Sequence, residues 1–211
     1  AVPVQSSVSD IGEQEKGHRP ARPLPYVLTV NEMDGPAGFC TLQFENQGTT
    51  GACFYVYQER SEEKPRRYTV GAGASLQDQW RVPAGEMLRL MVIGPNGFAR
   101  YFHRNGRASV AIAVADQPET GGVVVKLTNR TSQPQTVHMH DNAYGLAQRT
   151  VVLPARGVRQ EQVMLAKSDH WYDLTVSVAA EPTITSRFAG HVETGRPSIT
   201  DPALGKPILH V

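Results

Sequence analysis

Cys40-Thr41-Leu42-Gln43-Phe44-Glu45-Asn46 reads twice in this chain: 83 residues later stands Val123-Val124-Val125-Lys126-Leu127-Thr128-Asn129. In each copy the apolar positions recur with the period of a strand that buries one face, and the run ends on asparagine. The same shift carries on downstream. Phe54 falls on Val137, Val56 on Met139 and Val70 on Leu153, while Arg66 falls on Arg149, Gln77 on Gln160 and Gln79 on Gln162. One register kept from about residue 40 to 80 marks two copies of one small all-β unit.

The text on either side agrees. Leu28 and Val30 alternate with polar neighbours, and Asp34-Gly35-Pro36-Ala37-Gly38 is a turn. Runs at Cys53–Tyr57, Tyr68–Val70, Leu76–Trp80, Leu88–Val92 and Phe98–Phe102 follow, with Gly94-Pro95-Asn96-Gly97 as a strong turn before the last. The second copy opens at Val110 and carries its clearest alternation at Tyr172, Leu174, Val176 and Val178. Short strands with a turn every 8–12 residues are the signature of a sandwich. The expected fold is therefore all-β, with two tandem immunoglobulin-like β-sandwich domains at 25–107 and 108–196. Residues 1–24, polar and carrying Pro3, Pro20 and Pro23, read as a linker following a missing catalytic domain, and 197–211 as a C-terminal tail. No amphipathic helix is expected.

Bulk properties exclude several classes. The formal charge of +1 supplies no basic footprint for nucleic acid, so no nucleic-acid partner is expected. No apolar run approaches the ~20 residues that cross a bilayer as a helix, and Ala1–Gln5 do not open a signal peptide. Two cysteines are too few for a disulfide framework or a cysteine-rich zinc site.

Candidate chemistry is sparse. His138 and His140 share one face of a strand, the spacing for joint chelation. The repeat sets them on Tyr55 and Tyr57, which cannot chelate, so they read as outward partners of Val137 and Met139, and no metal or other cofactor is expected. No serine sits in a G-x-S-x-G elbow. Gly71-Ala72-Gly73-Ala74-Ser75 precedes a strand, so it reads as a turn and not as a phosphate cradle. No catalytic residue is assigned. Cys40 and Cys53 lie on consecutive strands and can either form a hairpin disulfide or stand as free thiols on facing sheets. Trp80, aligned with Val163, is expected in the core. Tyr55 and Tyr57 on a sheet face, with Phe98 and Tyr144 at loop tips, are the candidates for contact with a lipid or another ligand.

Leu24-Pro25-Tyr26, Phe44-Glu45-Asn46, Arg66-Arg67-Tyr68-Thr69-Val70 and Gly94-Pro95-Asn96-Gly97-Phe98 resemble the first C-terminal repeat of bacterial phosphocholine-specific phospholipase C. Asp141-Asn142-Ala143-Tyr144-Gly145, Trp171-Tyr172-Asp173-Leu174, Phe188-Ala189-Gly190 and Glu193-Thr194-Gly195-Arg196 resemble its second repeat, and Arg19-Pro20-Ala21-Arg22 the end of the linker before them. The resemblance implies a secreted or periplasmic parent enzyme. That enzyme releases phosphocholine from phosphatidylcholine, and in some cases from sphingomyelin, through an N-terminal phosphoesterase domain of the same polypeptide. None of that domain's catalytic or metal-binding residues carries over onto this chain. The implied role is a non-catalytic accessory region that aids substrate access, contact with a choline-lipid membrane surface, or folding. A carbohydrate- or protein-binding module and a structural spacer are the alternatives.

Overall fold

The computed structural model describes residues 18–203. In chain order its strands are β1 (Pro20–Ala21), β2 (Leu28–Met33), β3 (Phe39–Asn46), β4 (Ala52–Gln58), β5 (Arg66–Val70), β6 (Ala74–Arg81), β7 (Leu88–Ile93) and β8 (Ala99–Arg104). They continue with β9 (Val110–Gln117), β10 (Gly122–Asn129), β11 (Gln135–Asp141), β12 (Arg149–Leu153), β13 (Val158–Val163), β14 (Trp171–Val178), β15 (Glu181–His191) and β16 (Ser198–Ile199). A 3-10 turn at Ala166–Ser168 separates β13 from β14.

Unit one (β2–β8) and unit two (β9–β15) repeat the same sandwich. One layer is β2-β3-β6 in the first and β9-β10-β13 in the second; the other is β5-β4-β7-β8 and β12-β11-β14-β15. Alternation decides which side chains face inward. In β4, Ala52, Phe54 and Val56 are buried while Cys53, Tyr55 and Tyr57 face out. Trp80 is 2 % exposed, as expected, and packs edge-on against Tyr68 beneath the Arg66 guanidinium.

The repeated asparagines explain why the register is kept. Asn46 Nδ2 donates to the carbonyls of Thr50 and Val70 while its Oδ1 accepts from Gly48 N–H. Asn129 donates to the carbonyls of Gln133 and Pro154 and accepts from Thr131 N–H. Each clips one turn to the opposite sheet from a buried position, where unpaired backbone groups are costly. Arg66 and Arg149 also do the same work, donating to the carbonyls of Gln79 and Gln162.

The units are joined along two strands. β8 pairs antiparallel with β15, so the two four-stranded layers become one eight-stranded sheet. In the other layer β2 lies beside β9, and the Asn31 side chain bridges both backbone groups of Val114. Tracing the register through β4/β7/β8 and β11/β14/β15 sets Phe102 on Phe188 and Arg100 on Ser186. The seam pairs Phe102 with Ser186 and Phe188 with Arg100. Those two pairs exchange under a twofold rotation, so the repeats meet as a dimer would.

The thiols do not form a bond. Cys40 is buried in β3, Cys53 faces solvent from β4, and both are free. The strands belong to opposite layers, and the pleat turns Cys53 away from the space between them.

Candidate functional site

Two polar features mark the seam. Arg104, 2 % exposed, is fully engaged: Nε donates to Glu32, Nη1 to the carbonyls of His103 and Thr185, and Nη2 to Ser186 Oγ. Arg100, 0 % exposed, lies over Phe98 with its Cζ 3.9 Å from the ring centre and is flanked by Tyr172 and Phe188. It donates to the Ala99 and Ala189 carbonyls and to Tyr172 Oη, which itself donates to Asp116. Loss of solvent raises the Asp116 carboxyl to about 6, against the pull of Arg100 and the Tyr172 hydrogen bond, and the nearby Glu193 charge adds to the rise.

Next to this network, at the end of unit two, a pocket of about 310 Å³ is lined by Leu24, Asn96, Trp171, His191, Glu193 and Ile199 among others. Residues 21–24 and 198–201 supply part of its wall. β1 pairs with β16, Thr200 N–H donates to Arg19 O, and Arg19 N–H donates to Thr200 Oγ1. Glu193 is the anchor. Its Oε2 accepts from Leu24 N–H at 2.9 Å, and its Oε1 accepts from Asn96 Nδ2 at 2.7 Å and His191 Nδ1 at 3.0 Å. The His191 ring packs against Trp171 at a tilt of 45°, and its Nε2 lies 2.9 Å from Ser198 Oγ. Trp171 sits where a Cβ on Gly97 would come within 2.8 Å of its ring, and Gly97 has a φ of +71°, so both space and backbone call for glycine there.

The order Ser198–His191–Glu193 is that of a nucleophile relay. The sequence reading missed it because Ser198 stands outside any elbow motif and seven residues from His191. Its carboxylate also serves Leu24 and Asn96, so the same bonds stitch residues 19–24 to the end of the sandwich.

The candidates named from sequence do not converge. Phe98 is 5 % exposed beneath Arg100 and packs edge-on against Phe54. This corrects the reading of it as a loop tip: Gly94 N–H bonds Phe98 O across the turn and folds the ring inward. Tyr144 is half-buried and its hydroxyl donates to Asp201, which with loss of solvent raises its ionisation well above the usual phenol range. Tyr55 and Tyr57 are 39 % and 37 % exposed on the outer face of the eight-stranded sheet, with Arg67 over the Tyr55 ring. His138 bonds Thr150 Oγ1 and His140 is exposed on the same outer face. Among the described residues no group of three His, Cys, Asp or Glu side chains is placed to hold a metal.

The family described as "Bacterial phospholipase C, C-terminal domain" matches residues 20–105 and again 110–191, one match per sandwich. The chain belongs to this family. The non-hemolytic phospholipases C of Pseudomonas aeruginosa and Burkholderia pseudomallei are 37 % and 36 % identical to it, each over 96 % of this chain. The hemolytic phospholipase C of Pseudomonas aeruginosa is 33 % identical over 90 % of it. The chain spans about 30 % of the length of these relatives. It corresponds to the C-terminal part of a longer phospholipase C polypeptide.

Proposed function

We propose that this chain is the non-catalytic accessory region of a secreted phosphocholine-specific phospholipase C, and that it holds the preceding phosphoesterase domain in a fixed orientation toward choline lipid. The observation that carries this is the docked entry segment. Residues 19–24 are tied down by strand pairing and by the buried Glu193 carboxylate, so this stretch meets the sandwich along a defined path. The eight-stranded sheet behind it makes the two units one platform. Export, and hydrolysis of phosphatidylcholine or sphingomyelin by the parent enzyme, are inferred from the family resemblance.

The test is direct. The purified 211-residue chain is given a chromogenic phosphocholine ester with added divalent metals, and separately a fluorophosphonate probe for an activated serine. No turnover and no labelling is the expected result. Activity that copurifies with the chain and disappears in Ser198→Ala would overturn the non-catalytic reading and make the Ser198–His191–Glu193 relay its source.

A second reading has one observation in its favour. Tyr55, Tyr57 and Arg67 present an open aromatic and cationic face of the kind that binds sugar rings or a partner protein. Binding on a glycan array that is lost in a Tyr55→Ala, Tyr57→Ala double variant would favour it.

A further inference from the structure

We propose that the β2–β3 and β6–β7 loops of unit one are the surface by which this region rests on a phosphatidylcholine bilayer. The proposal rests on the reading that the region works beside choline lipid, and it names the side chains that make the contact.

Met33 and Phe39 flank the β2–β3 turn and are 41 % and 43 % exposed; Val152, Val158 and Met164 of unit two are more exposed but lie apart from one another in sequence. Pro36 and Ala37 between them are exposed too. Val82 N–H donates to Gly38 O, which brings Val82, Pro83 and Ala84 of the second loop alongside, around a depression of about 240 Å³. Single exposed apolar side chains are ordinary, but a contiguous set on neighbouring loops marks a contact surface.

The fold does not require them. The repeat register sets Phe39 on Gly122 and Met33 on Ala115, and unit two builds the same strands without a large side chain at either place. Of the corresponding turns in unit two, Pro118-Glu119-Thr120-Gly121 is polar, whereas the β13–β14 loop opens on Met164, 51 % exposed. The apolar β2–β3 turn is therefore peculiar to unit one. The two unit-one loops also lie at the opposite end of the strands from residues 19–24.

Charge selects the lipid. Of the charged side chains at the depression, Glu32 is paired with Arg104, and Asp34 holds both Arg107 and Arg130. An anionic membrane is recruited by an excess of basic residues, each worth about 1 kcal/mol near the surface. This near-balanced rim has no such excess. With these charges paired among themselves, the rim suits a zwitterionic surface and leaves the contact to the apolar side chains.

Flotation of the 211-residue chain with phosphatidylcholine vesicles, and in parallel with phosphatidylglycerol vesicles, tests this. The wild-type chain should bind phosphatidylcholine and keep binding at about 0.5 M salt, where exposed charges are screened. Phe39→Ser should weaken binding about fivefold, and Phe39→Ser with Met33→Ser tenfold or more, since affinity follows the apolar area buried. Both variants should melt within a few degrees of wild type, because the side chains removed are exposed. Tyr55→Ala with Tyr57→Ala should leave binding unchanged. Wild-type binding that survives the Phe39/Met33 double variant overturns this surface while sparing the lipid reading. Binding only to phosphatidylglycerol, or lost at high salt, overturns the apolar contact. A wild-type chain that binds no phosphatidylcholine refutes both.

Discussion

Glu193→Ala tests whether the entry segment is held or merely nearby. The carboxylate is 7 % exposed and accepts three hydrogen bonds, from Leu24 N–H, Asn96 Nδ2 and His191 Nδ1. A hydrogen bond to a charged group contributes about 1.5–3 kcal/mol, and its loss leaves the donor without a partner. Removing the carboxylate also ends the cost of keeping it away from water and relieves the like charge on Asp116. The net expectation is a loss of about 3 kcal/mol in urea melts at neutral pH. Glu193→Gln, which keeps one acceptor oxygen but replaces the other with a donor NH2 and removes the charge, should cost less than Glu193→Ala. Amide exchange gives the local readout: Leu24 N–H, protected in the wild-type chain, should exchange orders of magnitude faster in Glu193→Ala. A stability loss under about 1 kcal/mol with Leu24 still protected would refute the anchoring argument and, with it, the fixed entry path.

Other perturbations have defined outcomes. Asn46→Ala and Asn129→Ala should each cost about 2–4 kcal/mol in denaturant melts, because each removes three or more buried bonds to backbone. A folded-state value near 6 for Asp116, above the ~3.9 of an unfolded aspartate, means the folded chain holds that proton more tightly. Stability from this group is fully present below about pH 4 and is lost as pH rises through 6, so Asp116→Asn should gain roughly 1–3 kcal/mol at pH 8 and almost nothing at pH 4. Thiol titration of the native chain should count one fast cysteine, the exposed Cys53. Cys40, 1 % exposed and pushed up to about 12 by burial, should react only on unfolding.

The repeat was legible because its physics is local. Period-2 alternation and the asparagine at the end of β3 and β10 are properties of short segments, and so the sandwich, its strands and the burial of Trp80 could be read directly. The seam was not legible. Pairing of β8 with β15 uses backbone groups, which have no residue signature. A clue was present all the same: Phe98, Arg100, Phe102 and Arg104 share one phase of a strand, and a charged residue in the apolar phase points to a buried, paired cation. Residues 1–17 of the expected linker lie outside the described residues; at 19–24 its polar, proline-bearing text lacks a core of its own and is held by a carboxylate at residue 193 and a strand at 198–199, partners that are distant in sequence. Phe98 was assigned to solvent from its neighbouring turn residues, and that turn in fact directs the ring under Arg100.

The twofold seam has a consequence for what covalent linkage allows. Two separate copies of a single repeat meeting in this way would be bound by identity, because any residue on one side must appear on the other. A buried arginine at the position of Arg100 would come with a second at the position of Ser186, and four positive groups would crowd one dry junction where this chain has two. Fusion into one polypeptide lifts that constraint. Arg104 can donate to Ser186 because the symmetric mate of Arg100 is free to be a serine, and Gly190 can stand where the mate of Arg104 would be, with the Tyr172 hydroxyl 3.2 Å from the place its Cβ would take. The duplication therefore yields more than a longer platform. It permits a lopsided junction in which one half supplies the cations and the other supplies the room for them.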